Sequence, residues 1–306
     1  MKLSELTSAE LRTQLRAPGI VLQTGAFTTH LRSAIPSVAT GIELLYADYP
    51  FRPPGGFADF HVSLERPRNL RGWFRAQVLF LFDGSEAFKP LPIDQAFPML
   101  EWGLNWCISS HAHAYLMIHA AVVEKGGFAA ILPAPPGSGK STLCAALANR
   151  GWRLLSDELT LVRINDGKVV PVPRPVSLKN ESIDVIRRFV PGAVLSREVS
   201  DTIKGTIAHL KPSSDSIRRA EELAQPAWII FPKYKPGVQA ELEEVPRSRA
   251  FMRVADNAFN YSELGLHGFE TMSRLIGLSQ SYDFTYSVLD EAIDVFAALK
   301  PPISFP

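Results

Sequence analysis

The chain has very little cysteine: Cys107 and Cys144 are the two in 306 residues. Both stand in apolar, helix-patterned contexts and not at a metal-ligand spacing. That excludes a disulfide framework and a thiolate metal site, and points to buried thiols in a reducing compartment. Charge of one sign is also missing. Lys and Arg number 32 against 31 Asp and Glu, a formal charge of +1, so no global field draws the protein to nucleic acid or an anionic membrane. Any anion binding must be local. No run approaches the roughly 18 apolar residues of a membrane span. The opening MKLSELTSAELRTQL spaces its leucines as a helix does, without the continuous apolar stretch of a signal peptide. A cytoplasmic protein is expected. There is no internal repeat and no low-complexity segment, which excludes a solenoid. What is present is ordinary core material, 46% hydrophobic and 10% aromatic, enough for two domains or one large domain with an appendage.

Ser8 is a candidate cap for a short helix through Arg16, with Leu11 and Leu15 on one face. From Ile20 to about Phe88, IVLQTGAF, GIELLYADY, FADFHVSLE and AQVLFLFDG read as strands separated by proline and glycine clusters. Residues 94–112 carry Phe97, Leu100, Leu104 and Ile108 at helical spacing. AYLMIHAAVV and FAAILPA read as a hairpin turning at Lys125-Gly126-Gly127. A helix is predicted from 140, then a strand WRLLS, with further helices at 181–189, 247–259, 268–278 and 289–299 and late strands at 227–231 and 283–288. Trp73, Trp102, Trp106, Trp152 and Trp228 are expected in the core. The chain therefore reads as α+β overall: a β-rich N-terminal domain with a connecting helix, 1–113, and an α/β domain, 114–306.

The informative stretch is ILPAPPGSGKSTLCAALANRGWRLLSDELTLV, Ile131 to Val162. A strand, a glycine loop and a helix gather backbone N–H groups at the positive end of a helix dipole, a cradle for polyphosphate. Lys140 would add a charge at the β- and γ-phosphates, and the Ser141 hydroxyl would ligate Mg²⁺. Where the pattern G-x-x-x-x-G-K-[ST] has its first glycine, this chain has Ala134, followed by Pro135 and Pro136, which donate no N–H. The cradle must then come from Gly137, Ser138, Gly139, Lys140, Ser141 and Thr142. Lys140 is expected exposed on that loop.

Asp157 follows Lys140 by 17 residues, at the end of the next strand, with Glu158 beside it. Were those two strands neighbours, both carboxylates would face the γ-phosphate, one as proton acceptor and one beside Mg²⁺. A surface N-cap or hairpin-edge pair is the alternative.

The segment HAAVVEKGGFAAILPAPPGSGKSTLCAALANRGWRLLSDELTLV resembles the catalytic core of HPr kinase/phosphorylase. The match lies in His119 on the strand before the hairpin, Arg150-Gly151 after the P-loop helix, and Asp157-Glu158. EWGLNWC, IHAAVV, PAPPGSGKST and GWRLLSDEL are similar to motifs of the HPr-kinase-related kinases of the A subfamily. The resemblance is specific over about 94–180. It implies an α/β P-loop kinase core of the HPr kinase/PEP carboxykinase type, using ATP and Mg²⁺. It also implies Asp157 as base, Glu158 with Ser141 on the metal, His119 beside Asp157 or the phosphates, and a homo-oligomer. Glu158 replaces an aspartate common in that family, and its later arginine-glycine signature for a protein substrate is not visible.

Phosphoryl transfer also calls for a cation at the transferring group. Arg174, in PVPRPVSLK beside Lys179, is the first candidate and Lys204 the second; a solvated surface charge is the plain alternative for each. Three functions fit: an ATP-dependent kinase acting on a protein, peptide or small-molecule hydroxyl, an ATP-dependent binding module, or an NTPase. The early acidic pair favours the first.

Overall fold

The structure, a computed structural model, describes residues 1–67 and 76–301; Trp73 lies outside the described residues. Helix α1 (Ser8–Arg16) is capped by Thr7 and not by Ser8. The Thr7 side chain accepts from the Glu10 N–H while Glu10 reaches back to Thr7, a capping box that Ser8 cannot form from inside the helix. Strands β1 (Ile20–Thr24) and β2 (Phe27–Ser33) follow. GIELLYADY is not a strand: its first half ends α2 (Pro36–Leu45), started by Pro36 at the first helical turn. Val38, Ile42 and Leu45 recur at helical spacing and are fully buried, so helical periodicity prevails over a composition that also suits a strand.

Strands β3 (Phe51–Arg52), β4 (Phe60–Glu65), β5 (Gln77–Phe82), β6 (Ser85–Glu86) and β7 (Leu91–Pro92) complete the front sheet, ordered β3-β1-β2-β4-β5-β6 with β7 on β5. Helix α3 (Ala96–His111) packs against it and against α2. Gly103 permits that approach, since a Cβ there would stand 2.0 Å from the Phe80 ring. The side chains that close the front core include Met117, Leu159, Leu161, Val170 and Val172, all from beyond residue 113.

The second sheet starts with β8 (Tyr115–Lys125) and β9 (Phe128–Pro133), an antiparallel hairpin in which Lys125 pairs Phe128. Helix α4 (Lys140–Ala148) follows the loop, then β10 (Arg153–Ser156), β11 (Leu159–Arg163), β12 (Val169–Val170), β13 (Val176–Lys179) and α5 (Glu181–Phe189). The hairpin of β14 (Val199–Thr202) and β15 (Gly205–Leu210) joins β13 in a small separate sheet. The remaining elements are α6 (Ser214–Arg218), β16 (Gln225–Tyr234), β17 (Glu241–Glu244), α7 (Arg247–Ala255), α8 (Gly265–Leu278), β18 (Gln280–Tyr286) and α9 (Leu289–Ala298). Sheet order is β12-β11-β8-β9-β16-β18-β17, with β10 also on β8.

Alternation along β8 and β9 buries both faces. Ala121, Val123, Ala130 and Leu132 pack toward α4 and α9, while Ile118, Val122, Ala129 and Ile131 pack toward α7 and α8. Among the described residues no helix is long and apolar enough to cross a membrane.

Candidate active site

The loop between β9 and α4 is held from behind. Ser138 N–H bonds Pro135 O at 3.3 Å, Tyr234 N–H donates to Ser138 O at 2.9 Å, and the Tyr286 hydroxyl donates to Gly139 O at 3.0 Å. Gly137 (φ 84°) and Gly139 (φ 89°) both take the left-handed conformation. A Cβ on Gly139 would lie 2.5 Å from the Tyr286 oxygen, whereas one on Gly137 would meet nothing within 4 Å. The loop's back is thus packed at Gly139 and its front is open at Gly137. The N–H groups of Lys140, Ser141 and Thr142 open α4 and have no intrahelical acceptor. They face a cleft of about 340 Å³ lined by residues 135–142 with His119, Glu158, Ser177, Lys179, Tyr234 and Tyr286. The six residues expected from the sequence to form the cradle, Gly137 to Thr142, are among the eight loop residues that line this cleft.

Lys140 is not exposed. It keeps 7% of its surface, and its Nζ has no partner among the described residues. Burial pushes its pKa down against the pull of Asp157 and Glu158. Lys140 is the first residue of α4, and its side chain lines the cleft near enough to Asp157 and Glu158 to feel both charges.

The acidic pair sits where one long strand position is shared by two strands. β10 pairs with β8 at Val122–Glu124, and β11 pairs with the same strand at Tyr115–His119. Asp157 and Glu158 occupy the break between them, spanned by the Ser156 hydroxyl, which accepts from Leu159 N–H at 3.2 Å. The expectation that β9 and β10 are neighbours is therefore corrected, since β8 lies between them. β10 and β9 still run in the same direction, so both carboxyl ends open on one edge.

Asp157 keeps 5% of its surface. Its Oδ2 accepts from Ser177 N–H at 3.1 Å, and its Oδ1 has no partner among the described residues. Burial, then the charge of Glu158, raises its pKa from 3.8 to about 6, while Lys140 and Ser141 pull the other way. Glu158 is half-buried, faces the nucleotide-sized cleft directly, and accepts from Asn105 Nδ2 of α3. Burial works to raise its pKa, but Lys204, Lys179, Lys140 and Arg174 outweigh it and hold it below the usual range. Two adjacent acids are thereby pushed apart, one toward neutrality and one firmly ionised.

His119 lines the cleft, with its ring beside Phe259 at 5.8 Å. Burial and then Lys140 lower its pKa to about 4, so it is neutral near pH 7. Arg174 is elsewhere: its Nη2 bonds Glu101 Oε2 at 2.9 Å and Glu101 O at 2.8 Å, in an ion pair 7% and 3% exposed. It lines a small pocket behind the acidic pair, together with Trp102 and His209, and not the nucleotide-sized cleft. Lys204, in the β14–β15 turn, lies 5.2 Å over the Trp102 ring and likewise does not line that cleft. Beside Lys140, the lysine that does is Lys179, at the end of β13. Glu101, Trp102 and Asn105 all come from EWGLNWC; a glutamate on the apolar face of a helix was the signal in the sequence. Trp152 and Trp228 are buried as expected, while Trp102 and Trp106 are half-buried.

Mg²⁺ can be tested against the donors present. Among the described residues no group of three or more His, Cys, Asp and Glu is arranged to hold a metal. Ser141, Glu158 and the unpartnered Asp157 Oδ1 are hard oxygen donors, too few for a protein cage but suited to Mg²⁺, which keeps water and phosphate ligands.

No protein-family model matches the sequence, and no curated protein matches it. Among solved structures, an HPr(Ser) kinase/phosphatase from Coxiella burnetii is similar over 59% of this chain and 95% of that one, at 10% identity and a TM-score of 0.25. A likeness so slight says nothing of residue roles or activity.

Proposed function

We propose that this protein is an ATP-dependent kinase that transfers the γ-phosphoryl group to a hydroxyl acceptor. The observation that carries the reading is the convergence of the loop N–H groups, Lys140, Ser141, His119, Lys179 and Glu158 on one cleft of about 340 Å³, with Asp157 adjoining it. The N–H groups of 137–142 and Lys140 bind the phosphates, and Ser141 with Glu158 would hold Mg²⁺, which supplies charge neutralisation when bound. Asp157 accepts the acceptor's hydroxyl proton. The acceptor oxygen forms the new bond to the γ-phosphorus as the bond to the β–γ bridging oxygen breaks, and ADP leaves with that electron pair. A carboxylate with a pKa near 6 is well matched to taking that proton near neutral pH. Neutral His119 can hydrogen-bond the γ-phosphoryl oxygens or the acceptor. Lys179 takes the place sequence reasoning gave Arg174, as the cation in the cleft.

One observation favours a second reading, a nucleotide-dependent binding module. Asn105 of the front unit bonds Glu158, so a nucleotide that moves Glu158 would be felt in α3. Labelled ATP offered with candidate acceptors separates the two: phosphorylated product supports the kinase, and ATP binding without transfer to any acceptor supports the module. Lys140→Ala should abolish ATP binding by calorimetry in either case. Unchanged ATP affinity would end both readings.

A further inference from the structure

The edge of the second sheet that carries the phosphate loop has two flanks. On one side of β9 lies β8, and β10, which ends at the acidic pair, pairs with β8. On the other side come β16 and then β18, both parallel to β9, so their carboxyl ends meet the loop at the same edge. Those ends are Tyr234 and Tyr286, and both residues line the cleft of about 340 Å³. Glu158 and His119 belong to the first flank. A triphosphate held by Lys140 and Ser141 with its γ-phosphate toward Glu158 must run its ribose and base along the second.

Tyr234 is placed for that task. Its N–H donates to Ser138 O at 2.9 Å, and its ring stands 5.9 Å from the Tyr286 ring at 70°, so the loop and a neighbour fix its position. Tyr286 keeps 1% of its surface and Tyr234 keeps 50%. Val185 of α5 and Leu289 of α9 line the same cleft; Leu289 belongs to the core beneath, and Val185 packs against it. A half-open aromatic ring with aliphatic neighbours offers nothing to a phosphate. It suits a flat ring with apolar faces, and the base is the part of a nucleotide with that shape. Ser287 adds a polar group at this end. Its Oγ accepts from Gly237 N–H at 3.1 Å and keeps its own hydrogen to give.

We propose that Tyr234 is the platform on which the nucleobase stacks, and that it selects purine over pyrimidine nucleoside triphosphates as the phosphoryl donor. The assignment rests on the nucleotide reading of the phosphate loop given above. Stacking on an aromatic side chain responds to the face of a base and not to the donors and acceptors on its edge. A two-ring base covers more of the tyrosine than a one-ring base does. Adenine and guanine both present acceptors that a single hydroxyl donor can meet, so Ser287 does not separate them. ATP and GTP therefore bind alike. The base is held on β16, β18 and α9, which carry none of the groups assigned to transfer, so the choice of donor is separable from the chemistry.

The test is calorimetry of the full chain with Mg²⁺ against ATP, GTP, CTP and inorganic tripolyphosphate. The unaltered protein should bind ATP and GTP alike and CTP more weakly. Tyr234→Ala should weaken ATP and GTP by about 10- to 100-fold, the usual worth of stacking on one aromatic ring. The same variant should bind tripolyphosphate, which has no ring to stack, as the unaltered protein does, and its preference for ATP over CTP should shrink. Tyr234→Phe keeps the ring and should keep the affinity for ATP. Unchanged ATP affinity in Tyr234→Ala, or CTP bound as tightly as ATP by the unaltered protein, overturns the platform. So does an equal loss of tripolyphosphate and ATP in Tyr234→Ala, which would make the side chain a support of the loop. Each of these results leaves nucleotide binding at the loop intact. An unaltered protein that binds neither ATP nor tripolyphosphate removes that reading, and the platform with it.

Discussion

Replacing Asp157 by Asn should make the protein more stable near neutral pH while disabling transfer. The folded carboxyl titrates at about 6 instead of 3.8, through burial first and Glu158 second. Below about pH 4 both folded and unfolded states hold the proton, and the group contributes nothing. Between about pH 4 and pH 6 the unfolded chain releases its proton while the folded one keeps it, so stability falls as pH rises. Above about pH 6 the deficit is complete, roughly 3 kcal/mol for a displacement of this size. Asn carries no charge and escapes it. Calorimetry of the nucleotide- and Mg²⁺-free protein should show Asp157→Asn melting about 4–6 °C above wild type near neutral pH. The gap should close toward pH 4. Transfer should fall by about 10²–10⁴ with ATP affinity retained, the usual worth of a general base. A gap that does not vary with pH, or a variant less stable than wild type near neutral pH, would refute the reasoning. It would mean that Oδ1 receives a stabilising contact as a carboxylate.

Gly139→Ala places a Cβ 2.5 Å from the Tyr286 oxygen in a left-handed backbone, so ATP affinity measured by calorimetry should drop at least about 10-fold. Glu158→Gln should raise the Mg²⁺ concentration for half-maximal activity, and an unchanged Mg²⁺ dependence would take Glu158 out of the metal site. Glu101→Gln leaves the buried Arg174 guanidinium without its charge partner, and urea unfolding should register a loss of about 3–5 kcal/mol. A loss under about 1 kcal/mol would mean that Tyr46 and the Glu101 carbonyl suffice to hold the cluster.

Local features were legible in the sequence and long-range pairings were not. The β8–β9 hairpin, α4 and α5 follow from turn residues and helical spacing within a few positions of each element. GIELLYADY deceived because its apolar residues suit either period, and the deciding evidence was Pro36, five residues upstream. Arg174 was singled out as a cation for the transferring group, and the structure places it in the small pocket beside the acidic pair and not in the larger cleft. Its partner Glu101 lies 73 residues earlier, and nothing near PVPRPVSLK announces an acid waiting on α3. Lys179 stood in the same quoted segment, and only the direction of β13 turns it toward the phosphate loop. The burial of Lys140 was missed for a related reason: the acids near it, Asp157 and Glu158, are brought there by the pairing of β10 with β8, while residue by residue the loop looks like any polar turn.

The position of α3 bears on whether the protein is a kinase or a switch. From one helix Glu101 fixes Arg174, Trp102 lines the pocket behind Asp157, and Asn105 holds Glu158. A module that only reports nucleotide needs a single contact to the acid beside the metal, and Asn105 supplies it. The buried Glu101–Arg174 pair and the unsatisfied donors beside Asp157 serve no such purpose. Burying them without a ligand costs stability. Asp157, buried and with one carboxylate oxygen unpartnered among the described residues, likewise has no task in such a module and has one in a kinase, that of the base. The buried acid beside the cleft, more than the phosphate loop, thus favours transfer over reporting.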